Sequence, residues 1–112
     1  MGENDDAALP ELVGLAVESV ASSDETITIF FAGGWRMGIF NPIKIVAGPT
    51  ANQNLELKGL IGKIVLEAYK HGACLTVDLG EAVLTVNLED SAFTGPEAVA
   101  IEGPTGESIV IR

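Results

Sequence analysis

Residues 73–88 read A-C-L-T-V-D-L-G-E-A-V-L-T-V-N-L. Ala73, Leu75, Val77 and Leu79 alternate with Cys74, Thr76 and Asp78; beyond Gly80-Glu81, Ala82, Leu84, Val86 and Leu88 alternate with Val83, Thr85 and Asn87. A period of two, rich in β-branched residues, marks strands with one buried face. Gly80 stands where a two-residue type II′ turn needs positive φ. That turn sets Leu79 opposite Ala82, Val77 opposite Leu84, Leu75 opposite Val86 and Ala73 opposite Leu88. All four pairs are apolar and share a face, and a slip of one residue would turn one strand's apolar set to solvent.

The same pattern occurs earlier. Residues 12–31 lie on residues 60–79 without a gap: Leu12 meets Leu60, Gly14 meets Gly62, Val17 meets Val65, and Ile27, Ile29 and Phe31 meet Leu75, Val77 and Leu79. Past the turn the offset drops by one, and Trp35, Met37 and Ile39 meet Ala82, Leu84 and Val86. The difference falls in the loop Ala32-Gly33-Gly34, where a three-residue connection wants Gly at its third, left-handed position. That register faces Phe31 to Trp35, Ile29 to Met37 and Ile27 to Ile39. We read a duplicated unit of three strands, with pseudo-repeats at about 12–41 and 60–89.

Each unit is expected to open with a strand, near 14–20 and 63–69. Leu57, Leu60, Ile61, Ile64, Val65 and Ala68 also fall at helical spacing, but Gly59 and Gly62 would each cost about 1 kcal/mol inside a helix. A short helix near 53–60 followed by a strand reconciles the two patterns. Asn41-Pro42 and Gly48-Pro49 are breakers, which makes 41–54 a linker, with 43–46 a short extended or helical turn and 48–54 a mobile loop. A last hairpin spans 98–111, with Pro104 and Gly106 at the second and fourth turn positions; it faces Ile101 to Ile109 and Val99 to Ile111. The expected fold is mainly β in one domain, residues 1–112: two tandem three-strand units plus a C-terminal hairpin, about eight strands, forming a sandwich or partly closed barrel. Residues 1–8, acidic and polar, are expected to be disordered.

The motif L-x-G-x-x-V followed by a hairpin occurs at residues 12–39 and 60–88, and I-E-G-P-T-G-E-S-I-V closes the chain at 101–110. This arrangement resembles a group of short, acidic, mostly uncharacterised bacterial proteins built as a doubled β-hairpin unit, and more weakly resembles immunity-type proteins encoded beside bacterial toxins. It departs from the group in its turns, which carry Gly33-Gly34 and Gly80-Glu81 in place of Asp-Gly. The resemblance implies a β fold and assigns no activity to any residue.

Six Lys and Arg against sixteen Asp and Glu leave a net charge of −10 over 112 residues. Phosphate-rich partners are attracted by positive charge, so nucleic acid and anionic membrane surfaces are disfavoured. The acidity serves solubility or presents an acidic face to a basic partner. One cysteine, Cys74, excludes an internal disulfide and fits a reducing compartment. No signal peptide or spanning segment is written in the sequence, and a cytoplasmic location is expected.

The inventory for catalysis is thin. His71 is the sole histidine, too few for a triad or zinc site. Cys74 lies three residues beyond it, with a turn between. Carboxylates cluster at Asp24-Glu25, Asp78/Glu81 and Glu89-Asp90, none at calcium-loop spacing, and no phosphate-binding glycine motif occurs. No cofactor or metal is expected. Phe30, Arg36 and Phe40 fall on the outer face of the first hairpin, where aromatic and Arg side chains suit a contact hot spot. With Asp78 and Glu81 at the second turn they are the expected partner-binding residues. The sequence thus reads as a non-enzymatic protein-binding module, for which the weaker resemblance implies an immunity-type role; a homo-oligomeric structural module, most simply a homodimer, is the alternative, ahead of a small-ligand protein or carboxylate enzyme.

Overall fold

In a computed structural model the structure describes residues 7–23, 26–47, 57–89 and 98–111. Among the described residues ten strands run in chain order: β1 (Ala7–Ala8), β2 (Val17–Ser22), β3 (Ile27–Phe31), β4 (Arg36–Ile39), β5 (Ile43–Ala47), β6 (Glu67–His71), β7 (Cys74–Asp78), β8 (Ala82–Asn87), β9 (Val99–Glu102) and β10 (Ser108–Ile111). They form two five-stranded antiparallel sheets. The first has the order β10-β9-β4-β3-β2 and the second β1-β6-β7-β8-β5. The fold is mainly β, as expected, and the sheets share one apolar core.

The hairpin registers follow from the apolar alternation. Leu79 N–H donates to the Ala82 carbonyl at 2.8 Å and Leu88 N–H to the Ala73 carbonyl at 2.9 Å, with Val77 opposite Leu84 and Leu75 opposite Val86 between them. In the first unit Ile29 faces Met37 and Ile27 faces Ile39. Phe31 N–H reaches the Trp35 carbonyl at 2.8 Å across the three-residue loop, where Gly34 has φ 88°. In the last hairpin Ile101 faces Ile109 and Val99 faces Ile111. The inward sets, Ile29, Phe31, Met37 and Ile39 against Leu75, Val77, Leu84 and Val86, are buried. At about 1.5–3 kcal/mol per buried aliphatic side chain, they are the main stabilising term.

The two units are related by a pseudo-two-fold axis through one bridge, Ala16 to Ile64, which are each other's repeat counterparts. Gly14 N–H bonds the Val65 carbonyl and Gly62 N–H the Val17 carbonyl, both at 2.8 Å; Val17 N–H bonds the Lys63 carbonyl and Val65 N–H the Leu15 carbonyl, both at 2.9 Å. Each bond is the image of the other in its pair. The axis also organises a reciprocal exchange. β5 follows the first unit yet pairs with β8 of the second, and β9 follows the second yet pairs with β4 of the first.

Several expectations are corrected. The first strands begin three or four residues later, at Val17 and Glu67, because Gly14 and Gly62 adopt φ of 89° and 91° just after 3-10 turns at Pro10–Leu12 and Leu57–Leu60. The L-x-G motif is therefore a turn that buries its Leu: Leu12 and Leu60 are fully buried. No α-helix occurs among the described residues; the expected helix near 53–60 is the 3-10 turn Leu57–Leu60, and residues 53–56 lie outside the described residues. The expected linker at 43–46 belongs to strand β5, since β8 offers it a complete ladder. Asn41, buried, anchors the crossing by donating from Nδ2 to the Asn87 carbonyl at 2.8 Å. Ala7 and Ala8, expected to be disordered, pair with Lys70 and Tyr69. The expected mobile loop at 48–54 and residues 1–6 lie outside the described residues.

Candidate functional site

Alternation sends every second residue of the first sheet outward. One outward row runs Ser19–Phe30–Arg36–Glu102–Ser108, each residue directly opposite the next. Arg36 Nε donates to Glu102 Oε1 at 2.7 Å, and a second guanidinium nitrogen contacts the same oxygen. Both side chains are about half exposed, so the pair contributes at most about 1 kcal/mol. Its effect is to tie the guanidinium to Glu102 on one side of Arg36, with Phe30 as the neighbour on the other.

The neighbouring row, Ala21–Thr28–Gly38–Ala100–Val110, is built mostly of small side chains. A Cβ added at Gly38 would stand 3.8 Å from the Phe40 ring, so that ring leans back along β4 over the glycine. At the turn end of the face, Glu18, Phe30, Trp35, Arg36 and Glu102 line a cleft of about 280 Å³. Gly34, which also lines it, makes a close approach: a Cβ there would meet the Pro104 ring at 2.8 Å, so the β3–β4 and β9–β10 turns touch only because residue 34 is glycine. Two carboxylates and one guanidinium leave the cleft net acidic.

Phe30, Arg36 and Phe40 thus share one face, as expected from the sequence. Asp78 and Glu81 lie on the second sheet and do not join them. Asp78 Oδ1 accepts the Gly80 N–H at 2.8 Å, and Glu81 Oε1 accepts from Lys63 Nζ at 3.1 Å. Both stabilise the β7–β8 turn and its surroundings. Glu102, which sequence reasoning left out, enters because β9 pairs with β4, a contact between residues far apart in the chain that no local pattern announces.

The outer face of the second sheet carries the row His71–Cys74–Asn87. The turn between His71 and Cys74, expected to separate them, holds only Gly72-Ala73 and sets the two directly opposite. Cys74 Sγ lies 3.8 Å from Thr76 Oγ1 and from the Leu75 carbonyl. The row borders a cleft of about 380 Å³ lined also by Pro42, Lys44, Thr85 and Glu89. Among the described residues no group of three or more His, Cys, Asp or Glu side chains is placed to hold a metal, and no helix is long and apolar enough to cross a membrane. At the last turn, Thr105 Oγ1 donates to Glu107 Oε2 at 2.6 Å and Thr105 N–H to Oε1 at 3.0 Å; these bonds, the hydroxyl's first, hold the Glu107 carboxyl below its ordinary pKa. In comparisons with known proteins the chain matches no family model, no curated protein and no solved structure.

Proposed function

We propose that the chain is a non-enzymatic protein-binding module of the bacterial cytoplasm, immunity-type in role, that engages a basic protein through the outer face of its first sheet. The observation that carries this reading is the row Phe30–Arg36–Glu102 beside the acidic cleft of Glu18 and Trp35. Aromatic and Arg side chains are the types that dominate contact energy when desolvated. The carboxylates around them, on a chain of net charge −10, steer a cationic partner and repel nucleic acid and anionic membrane. Self-association through this face is disfavoured by the same geometry, since a second copy would bring its own Glu18 and Glu102 against this acidic cleft.

The test is affinity capture from a bacterial lysate with the wild-type chain and a Phe30→Ala/Arg36→Ala variant, at low and high salt. A basic protein held by the wild type, released by salt and lost in the variant is the expected result. Equal recovery of every bound protein by both chains would remove the reading.

A further inference from the structure

The pseudo-two-fold axis makes β5 and β9 counterparts. Pro42 accepts the Asn87 N–H at 3.0 Å, and Ala98 accepts the Phe40 N–H at 2.9 Å; these are the same bond in the two units. In antiparallel pairs the residues that bond a neighbour alternate with those that point away. The Pro42–Asn87 bond therefore places the inward groups of β5 at Lys44 and Val46, opposite Thr85 and Val83, and turns the N–H and C=O groups of Ile43, Ile45 and Ala47 away from β8. Their counterparts on β9 are Val99, Ile101 and Gly103, whose outward groups meet β10: Gly103 N–H bonds the Glu107 carbonyl at 3.0 Å, and Ile101 and Val99 pair with Ile109 and Ile111. The first sheet has a strand in this position. The second ends at β5, which among the described residues has no strand on its outer side.

We propose that a second copy of the chain fills this position: two chains pair through β5, antiparallel, about a two-fold axis at Ile45. Three features select this occupant. The bonding groups are in phase, since a two-fold at Ile45 places Ile45 opposite itself and Ile43 opposite Ala47 of the second copy, all with outward groups, for about six new hydrogen bonds. Charge also favours it. β5 reads I-K-I-V-A, with one lysine and no acid, whereas β2 contains Glu18 and β10 follows Glu107 directly; on a chain of charge −10, β5 is an edge along which two copies meet without opposing carboxylates. Lys44 falls opposite Val46 of the second copy, so no like charges face each other. Finally, the contact is isologous and closes at two chains, where β5 against another edge would propagate. Its small area places the dissociation constant in the micromolar range or weaker. The first-sheet face stays clear of this contact, so the pairing stands apart from the proposed partner docking.

The test is light scattering over a micromolar-to-millimolar range, with amide exchange followed residue by residue. The expected result is a shift from the 11.6 kDa chain mass toward twice that value, with the Ile43, Ile45 and Ala47 amides gaining protection as concentration rises. Ala47→Pro removes an outward N–H and leaves the bonds to β8 intact; Val46→Lys sets a lysine directly opposite Lys44 of the other copy, twice per dimer. Each should weaken dimerisation about tenfold or more. A chain that stays monomeric throughout overturns the proposal, as does a dimer whose three outward amides exchange at solvent rates. The exchange readout stands on the wild-type chain and is independent of how the variants fold.

Discussion

The two three-strand units share an inner face and differ on the outer one. Inside, Ile27, Ile29, Phe31, Met37 and Ile39 correspond to Leu75, Val77, Leu79, Leu84 and Val86, with apolar side chains in both copies. Outside, Phe30 corresponds to Asp78, Arg36 to Val83, Gly38 to Thr85 and Phe40 to Asn87. A shared core tolerates only apolar groups of suitable volume. A solvent-facing row has no such constraint, so the pattern common to the units reports folding and the pattern that separates them reports use. The first unit carries an aromatic–guanidinium face, and the second carries hydroxyl, thiol, amide and carboxylate groups.

The equivalence of the inner faces is open to direct attack. Leu12→Ala and Leu60→Ala remove fully buried counterparts, and each should cost about 2–5 kcal/mol in urea unfolding. A large cost at one and none at the other would mean that the units are not energetically equivalent. The glycines sharpen the same point. Gly34→Ala combines φ of 88° with a Cβ 2.8 Å from Pro104, so the expected loss is about 2–4 kcal/mol. Gly62→Ala has a similar φ but open space around the new Cβ and should cost only about 1–2 kcal/mol. Equal losses would show that the contact between the two turns carries no strain.

Smaller effects probe the outer faces. Glu67 and Asp78 are directly opposite on β6 and β7, and like charges so placed oppose pairing. Glu67→Gln should therefore stabilise by about 0.2–1 kcal/mol, more at low salt, while Asp78 keeps its bond to Gly80. On the other side, Arg36→Gln should cost at most about 1 kcal/mol in stability while removing partner capture, a separation that places Arg36 in recognition rather than folding. The smallest effect is at Glu107. A carboxyl held below its ordinary value near 4.5 contributes stability at higher pH that is lost as pH falls through the folded value. The stability advantage of wild type over Glu107→Gln should shrink in acid titration below that range, and a constant difference would rule out the linkage.

All three hairpins were legible because both partners of each pair lie within one short stretch, and the apolar period allows one register. Phe30 opposite Arg36 was legible for the same reason. The 3-10 turns were not, since a Leu followed two residues later by Gly suits a strand start as well as a turn, and only the positive φ of Gly14 and Gly62 distinguishes them. Nor was β5: a five-residue run between prolines reads as a linker until a strand beside it supplies hydrogen bonds. Asn41 gave no sign of burial, because its value lies in one bond to Asn87, 46 residues away.

The amino-acid sequence by itself determined which residues turn inward, where the hairpins close, and that the chain contains the same unit twice. Those properties depend on local backbone geometry and on the free energy of removing apolar side chains from water, both of which act over a few residues. The tertiary structure decided that the units trade their fourth strands, that Glu102 comes to rest against Arg36, and that, among the described residues, β5 ends its sheet where β9 does not. Such pairings join segments whose local patterns are satisfied equally well by several neighbours, and the choice is made only when both sheets close over one core.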